Sequence, residues 1–383
     1  MGLSDDDAPV SETPNGSAKT QRVSSLELFF DLVFVFTITQ LTGVLVHRPT
    51  WSGLLRVSLT LGVIFWMYGG YAWLTNAVAL DRLGRRLTLL GGMAGFFVVA
   101  LAIPRAFSGN GTAFGFAYLA VVLIHLGMFA RSSRTTVVRA ILGLAPFNLS
   151  TALLVLVGGI LGGSAQYLLW AAAVTLEWIS PKLIDDSGFI IEPGHFVERH
   201  GLVVLIAIGE SVVAVGIGAA RLTVDAELVA AAILGLSLSA CLWWSYFGAD
   251  DGSAEQSLND APAERRPALA VAAFGYWHLL ILLGIIAIAF ALRTVTGHAF
   301  ASLAVAPAIA LGAGTSIFLV GEALYRRTLA IGAVRARALT ALLALATIPI
   351  GTQSSAALQL VVLVALFVVM LVTQSRSPEA QPA

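Results

Sequence analysis

The residues that could do chemistry in this sequence are ionisable side chains inside long apolar stretches. Glu210 is the single acid in the apolar run that follows His200. A charged side chain at the centre of a membrane helix costs about 2.5–3.5 kcal/mol and is tolerated where it faces protein or a water-filled cavity. We therefore interpret Glu210 as a candidate proton or cation site. The alternative is an acid that only joins helices through a hydrogen bond. Gly209 and Gly216 lie on one face of the same helix and predict close helix packing there.

Glu27 and Asp31 are four residues apart in SLELFFDLVFVFTITQ, a spacing that places both carboxyl groups on one helix face. For Asp31 two interpretations stay open. It could be an entry site for a cation or a proton, or an acid that favours the positive end of the helix and pairs with an arginine. The second interpretation is favoured for Glu27, which remains a candidate binding residue.

His195 and Glu198 have the three-residue spacing of two metal ligands on a helix, but no matching second pair is present. The favoured interpretation is a helix start with an ion pair between Glu198 and Arg199, and no metal site is predicted. Arg199 is also a candidate for binding an anionic head group or substrate. Phosphate-loop, HExxH and GxSxG motifs are absent from the sequence, and we predict no cofactor.

Four further ionisable groups fall in apolar segments: His125, Glu177, His278 and Glu322. Glu177 and His278 are retained as candidate substrate or proton sites, because histidine and carboxyl groups can pass protons. Glu177 and Glu322 lie close to predicted cytoplasmic helix ends. Most of these groups fall in the cytoplasmic or middle part of the membrane, which fits a cavity open to the cytoplasm.

The chain of 383 residues is 58% hydrophobic and 11% charged, whereas soluble proteins carry about 25% charged residues. Its 22 basic and 22 acidic residues give no overall bias toward nucleic acid. A single cysteine, Cys241, excludes an intramolecular disulfide and a thiolate metal site. The composition predicts an all-α integral membrane protein whose main partner is the lipid bilayer.

Twelve stretches are near the length of about 20 apolar residues that a transmembrane helix needs. They are 26–46, 51–75, 86–103, 112–130, 137–160, 165–183, 199–220, 226–247, 267–292, 301–325, 335–352 and 355–373. With this assignment 17 Lys and Arg residues fall on the side of both chain ends and 4 on the other side. The positive-inside rule then predicts that both termini are cytoplasmic. Residues 1–22 and 375–383 are predicted to be cytoplasmic tails, the first of them disordered.

The predicted helices divide into two halves, 23–184 and 185–374, that resemble each other. Glu27 and Glu198 stand 171 residues apart near the starts of the first and seventh spans. Pro146 and Pro349 interrupt the fifth and eleventh spans. Because each half has an even number of helices, the two repeats would be parallel, with a binding site between them.

Three motifs identify a family resemblance: SSLELFFDLVFVFTITQLT at 24–42, LEWISP at 176–181 and HFVERHGLVVLIAIGESVVAVG at 195–216. They resemble the bacterial low temperature requirement A family of polytopic membrane proteins. The resemblance implies a multi-pass protein of a bacterial inner membrane, associated by name with growth in the cold, and it supplies no catalytic residue. The motifs contain the same acids, histidine and arginine that the physical argument selects.

The leading hypothesis is a secondary transporter of a small molecule or ion, with Asp31 and Glu210 as proton or cation sites. An enzyme is the less favoured class. The alternative is a membrane-embedded enzyme or lipid-handling factor in cold or envelope stress, acting at the cytoplasmic face through His195, Glu198, Arg199 and Glu177. A third hypothesis is a non-catalytic scaffold. The sequence leaves the substrate and the oligomeric state open.

Overall fold

The computed structural model describes residues 23–77, 82–132, 135–184, 191–248, 251–332 and 334–375, and these contain helices and no strand. The predicted tail at 1–22 lies outside the described residues, as does the tail at 375–383 except for Ser375, which ends the last helix. The fold is therefore the all-α membrane architecture that the sequence predicts.

The helices of the first half are α1 (Ser25–His47), α2 (Trp51–Ala77), α3 (Leu83–Ala102), α4 (Gly111–Ala130), α5 (Thr135–Leu161) and α6 (Gly163–Ile179). Those of the second half are α7 (Pro193–Ala219), α8 (Ala226–Phe247), α9 (Asp251–Asp260), α10 (Arg266–Ala270), α11 (His278–Val295), α12 (Val305–Leu329), α13 (Val334–Ala346), α14 (Ile348–Gln353) and α15 (Ala356–Ser375). Short 3-10 turns occupy Ile103–Arg105 and Ser180–Lys182, and a π-helical segment, Val271–Trp277, joins α10 to α11.

Eleven helical stretches within the described residues are long and apolar enough to cross a membrane. The sixth predicted span forms α6, which has 17 residues and lies at the lower end of the range of about 17–25 residues for a spanning helix. All twelve predicted stretches are thus helical. The helix α9, which follows α8, carries mostly polar residues and was not predicted as a separate element.

Local sequence accounts for several helix ends. Ser24 and Glu27 form a reciprocal capping box at the start of α1. The Asp225 carboxylate accepts a hydrogen bond from the Leu228 backbone N–H at the start of α8. Pro193 occupies the first position of α7, where its missing N–H costs nothing. These signals place the first turns of α1 and α7, which carry the candidate residues.

The two matched prolines behave differently. Pro349 follows a break at Thr347 that separates α13 from α14, as predicted for a helix interruption. Pro146 lies inside α5, which continues through it to Leu161.

The helices of the two halves make contacts in the same order. In the first half α1 packs against α3, α3 against α4, α4 against α5, α5 against α6, and α2 against α6. In the second half α7 packs against α11, α11 against α12, α12 against α13, α13 against α15, and α8 against α15. The halves meet where α1 and α2 contact α7 and α11. This arrangement places the acidic helix α1 beside the basic first turns of α7.

Close glycine packing occurs at positions other than those predicted. A Cβ added to Gly284 of α11 would lie 2.6 Å from the carbonyl oxygen of Gly314 on α12. By contrast, an added Cβ at Gly209 or Gly216 would have no neighbouring atom within 4 Å among the described residues. The prediction of close packing at these two glycines is wrong.

Candidate functional site

The first turns of α1 and α7 face each other through three buried polar contacts. The His195 ring nitrogen Nε2 lies 3.0 Å from Glu27 Oε1. Arg199 Nη2 donates to Asp31 Oδ1 at 3.0 Å, and Arg199 Nη1 lies 3.2 Å from Glu27 Oε1. All four residues are at most 4% exposed. One guanidinium group therefore joins both acids of α1.

The two pairs have the same sequence offset. Glu27 and His195 are 168 residues apart, and so are Asp31 and Arg199. Because the offset stays constant along one helical turn, α1 and α7 run in the same direction and are in register. Parallel six-helix halves require this relation between their first helices.

Glu210 extends the same contact deeper into the membrane. Its Oε2 accepts a hydrogen bond of 2.5 Å from the Thr39 hydroxyl of α1, and the residue Glu210 is 2% exposed. Thr39 stands twelve residues after Glu27, which corresponds to about 18 Å along a helix. We call this set of contacts the polar seam; its members are Glu27, Asp31, Thr39, His195, Arg199 and Glu210.

Helix α2 completes the seam near Asp31. The Tyr68 hydroxyl donates to Asp31 Oδ1 at 3.0 Å, and the Arg199 guanidinium lies 5.6 Å from the ring centre of Phe30 and 5.8 Å from that of Tyr68. Such cation–π contacts stabilise a desolvated arginine. Within the described residues Asp31 Oδ2 and Arg199 Nε have no hydrogen-bond partner. Asp31 therefore keeps one acceptor position that the surrounding protein does not use.

A cavity of about 100 Å³ lies between the two halves. Its walls come from α2, α4 and α5 on one side and from α7, α10 and the π-helical segment on the other. The lining is mostly apolar and includes six Phe and Trp side chains: Phe65, Trp66, Trp73, Phe129, Phe196 and Phe274. We call it the aromatic cavity.

Three polar side chains face the aromatic cavity. They are His125, Asn148 and His200, each at most 3% exposed. Both ring nitrogens of His125 and the Asn148 side-chain oxygen have no hydrogen-bond partner within the described part of the chain. A Cβ at Gly70 would lie 3.0 Å from His125 Nε2, so the glycine leaves room for this ring. Buried polar groups without partners are uncommon, and they mark positions where a ligand could bond.

The aromatic cavity and the polar seam are connected through α7. The Tyr68 ring, which contacts Asp31, lies 6.5 Å from the His200 ring in an edge-to-face arrangement. His278 lies 5.8 Å from His200, and its Nε2 and the Tyr246 hydroxyl form a hydrogen bond of 2.7 Å. The π-helical segment that borders the cavity ends immediately before His278, and such segments are frequent at functional sites.

The structure brings together only some of the candidate residues. Glu27, Asp31, His195 and Arg199 form one cluster. Glu177 instead accepts a hydrogen bond of 2.8 Å from the Tyr118 hydroxyl within the first half. Glu210 and His278 do not line the aromatic cavity. They also do not line a second cavity, which lies at the turn between α1 and α2.

The predicted ion pair between Glu198 and Arg199 is wrong. Arg199 is directed into the bundle toward Glu27 and Asp31, whereas Glu198 accepts a hydrogen bond from the Val23 backbone N–H. Adjacent helix residues lie about 100° apart around the axis and do not face each other. Within the described residues no three His, Cys, Asp or Glu side chains form a metal-binding group, and His195 and Glu198 share no partner.

A second charged cluster ties together α8, α12 and α13. Glu322 Oε1 lies 2.9 Å from Arg337 Nε and 3.3 Å from Arg326 Nε. Glu322 Oε2 accepts a hydrogen bond of 2.6 Å from the Ser245 hydroxyl, and all three charged residues are at most 5% exposed. Arg326 and Arg337 belong to the 17 basic residues counted on the cytoplasmic side, and the sequence analysis did not predict this cluster. Glu322, an acid inside an apolar stretch, was the available signal.

The sequence analysis also did not select Tyr68 and Tyr71 as candidate site residues. Both residues are fully buried. The Tyr68 hydroxyl donates a hydrogen bond to Asp31, and the Tyr71 hydroxyl donates one to the Val121 carbonyl oxygen at 3.0 Å. Their three-residue spacing on one face of α2 was the signal for an inward orientation.

Comparison with known proteins agrees with the resemblance in the sequence motifs. The profile of the family described as bacterial low temperature requirement A protein (LtrA) matches residues 22–373. The chain is also similar to an uncharacterized protein, RA0937, of Rhizobium meliloti (strain 1021). The two are 27% identical over 278 residues, which cover 69% of this chain and 67% of the relative. No solved structure matches.

Proposed function

The chain belongs to the bacterial low temperature requirement A family, whose profile covers residues 22–373, and from this premise we propose that it is a secondary transporter of a small organic substrate. The observation that carries the proposal is a cavity walled by both halves beside a charged contact that joins the same halves. Transporters built from repeats place substrate and coupling sites at the interface between the repeats. We also propose a location in a bacterial inner membrane with both termini in the cytoplasm, on the 17-to-4 distribution of basic residues.

The aromatic cavity is the proposed substrate site. Ligand sites are concave, mostly apolar and equipped with a few polar groups that orient the ligand. An apolar cavity of about 150 Å³ can hold benzene. The aromatic cavity measures about 100 Å³, so its walls would have to move apart to admit a ring. A substrate with one planar ring and a hydrogen-bonding substituent would suit its aromatic walls and the polar groups of His125 and Asn148.

Asp31 is the proposed coupling site. Its Oδ1 holds both Arg199 and Tyr68, while Oδ2 has no hydrogen-bond partner in the described part of the chain. Binding of a proton or cation at Asp31 would neutralise the charge that attracts Arg199. The halves would then be held by one carboxylate instead of two, so that loading of the coupling ion would favour separation of α1 and α7.

Glu210 is proposed as a second coupling acid farther along the seam. Its hydrogen bond to Thr39 also crosses between α1 and α7, so its protonation state would affect the same interface. Glu210 does not line the aromatic cavity, and we assign it no direct contact with substrate.

The geometry does not favour an enzyme at the cytoplasmic face. That hypothesis needs Glu177 and Glu198 beside His195 and Arg199. Glu177 instead accepts a hydrogen bond from the Tyr118 hydroxyl, and Glu198 accepts one from the Val23 backbone N–H. A role in cold or envelope stress stays a prediction that follows from the family name.

The proposal predicts uptake of ring compounds driven by a proton gradient. Purified protein in liposomes that contain a pH-sensitive dye should acidify the lumen when a panel of single-ring aromatic compounds is added. Asp31→Asn should lower this flux at least tenfold, because the amide cannot release a proton, while Glu27 still neutralises Arg199. Glu264→Gln, which removes an exposed acid outside the seam, should leave the flux unchanged.

Two outcomes would contradict the transporter. Wild-type protein could move no compound of the panel and no protons, or Asp31→Asn could transport as fast as wild type. Intact folding of each variant is checked by its elution as a single species from size-exclusion chromatography.

A further inference from the structure

A second cavity, of about 360 Å³, lies at the turn between α1 and α2, at the end of α1 opposite Glu27. It is bounded by the last turns of α1, the first turns of α2 and the segment that follows α3. Its polar lining consists of Gln40, His47, Arg48, Arg56, Thr60 and Ser108. We call it the arginine cavity.

The arginines are the permanently charged residues that line the arginine cavity. Between Asp31 and Glu177 the sequence contains a single acid, Asp81, which comes after the end of α2. None of the residues that line the cavity is acidic. The corresponding side of the second half differs, because Asp225 and Glu227 lie there near its arginines. The first half therefore concentrates positive charge without local compensation at this cavity.

Arg56 is held in a fixed orientation. Its Nε donates a hydrogen bond of 2.6 Å to the Tyr167 hydroxyl. Its guanidinium carbon lies 5.3 Å from the ring centre of Phe107 and 5.8 Å from that of Tyr167. These contacts immobilise the group and use one of its five N–H donors.

The two terminal nitrogens of Arg56 are left for a ligand. No carboxylate or carbonyl oxygen of the described residues forms an ion pair or hydrogen bond with them. A half-buried guanidinium with parallel free N–H groups matches the geometry of a carboxylate or a phosphate. The neighbouring His47 has its Nδ1 at 2.8 Å from the Gly43 carbonyl oxygen, which leaves Nε2 as a further polar group.

We infer that the arginine cavity is an anion-binding site, in which Arg56 binds a carboxylate or phosphate group through its two terminal nitrogens. Arg48 and His47 add positive charge at the rim. The site lies away from the aromatic cavity and shares no lining residue with it. Binding can therefore be measured whether or not the protein transports a substrate.

The test measures anion binding to the full-length protein in nanodiscs of phosphatidylcholine. Inorganic phosphate and acetate, neither of which carries a ring, are titrated by calorimetry into wild type, Arg56→Gln, Arg56→Lys and Arg221→Gln. Wild type should bind at least one of these anions, and Arg56→Gln should weaken the binding at least tenfold. Arg56→Lys should weaken it less, because lysine keeps the charge and loses the fork of two donors. Arg221→Gln removes an exposed arginine of the other half and should bind like wild type.

Lipid head groups carry the same phosphate chemistry, and a second arm distinguishes the two sources. The titration is repeated in nanodiscs that contain phosphatidylglycerol. If a lipid head group is the occupant, the affinity for the soluble anions falls in these discs for wild type. If a soluble anion is the occupant, the affinity is the same in both kinds of disc. The inference is overturned if wild type binds neither anion in phosphatidylcholine nanodiscs, or if Arg56→Gln binds like wild type while both melt at the same temperature.

Discussion

Arg199→Met is expected to destabilise the protein by about 3–5 kcal/mol, the cost of removing one partner from a buried ion pair. Arg199 contacts Glu27 and Asp31 at 3.2 and 3.0 Å, and both acids are buried. Without the guanidinium group the two buried carboxylates would lose the positive charge that they share. We expect the variant to unfold at lower denaturant than wild type or to fail to accumulate in the membrane.

The measurement is unfolding in mixed micelles, followed by the fluorescence of the tryptophans. Arg131→Met, which removes an exposed arginine outside the seam, should change the unfolding free energy by about 0.5 kcal/mol or less. The triple variant Glu27→Gln, Asp31→Asn, Arg199→Met carries no unpaired charge and should recover most of the lost stability. Equal destabilisation of the single and triple variants would contradict a role for charge pairing in the seam.

Glu322→Gln is expected to lower the unfolding free energy by a similar amount, about 3–5 kcal/mol. Here the unpaired charge that remains buried is positive instead of negative. Glu322 is the buried acid next to both Arg326 and Arg337, and its second oxygen accepts the Ser245 hydroxyl. A neutral amide keeps the shape of the side chain but leaves two buried guanidinium groups without their shared carboxylate. The packing of α12 against α8 and α13 should loosen.

This loss is measured in the same unfolding experiment and compared with two further variants. Glu322→Asp keeps the charge and should cost less than Glu322→Gln. The double variant Glu322→Gln, Arg337→Gln removes one positive charge together with the negative charge and should be more stable than Glu322→Gln alone. A Glu322→Gln protein as stable as wild type would show that the buried charges of this cluster do not support the fold.

The helices could be predicted from sequence because membrane insertion requires long apolar stretches. All twelve predicted stretches are helical, and the break before Pro349 follows from the chemistry of proline. The candidate acids could be selected because a carboxyl group in such a stretch needs a specific reason to be there. Asp31, Glu27, Arg199 and His195 accordingly form a buried cluster.

The partners of these groups could not be predicted, because they depend on contacts between distant helices. Arg199 pairs with acids 168 and 172 residues before it in the sequence rather than with its neighbour Glu198. Arg326 looked like a loop residue because α12 extends past the apolar stretch that ends at residue 325. Arg337 lies at the start of the stretch 335–352, where a basic residue is expected at the cytoplasmic boundary. The aromatic cavity arises from the packing of two halves, and its residues carry no shared motif that a single sequence would reveal.

The central claim is that the halves move against each other at the polar seam, and distances between spin labels test it most directly. Cys241 is the sole cysteine, so Cys241→Ala provides a background for labels. One pair, Leu83→Cys with Glu264→Cys, reports on the membrane face near the aromatic cavity. A second pair, Trp51→Cys with Phe300→Cys, reports on the other face; Leu83, Trp51 and Phe300 are 72%, 75% and 59% exposed. We predict two distance populations for each pair of labels. Lower pH should favour the longer distance at one face and the shorter distance at the other, and Asp31→Asn should abolish this change. A single distance at each face, unchanged by pH and by the ring compounds, would contradict the account.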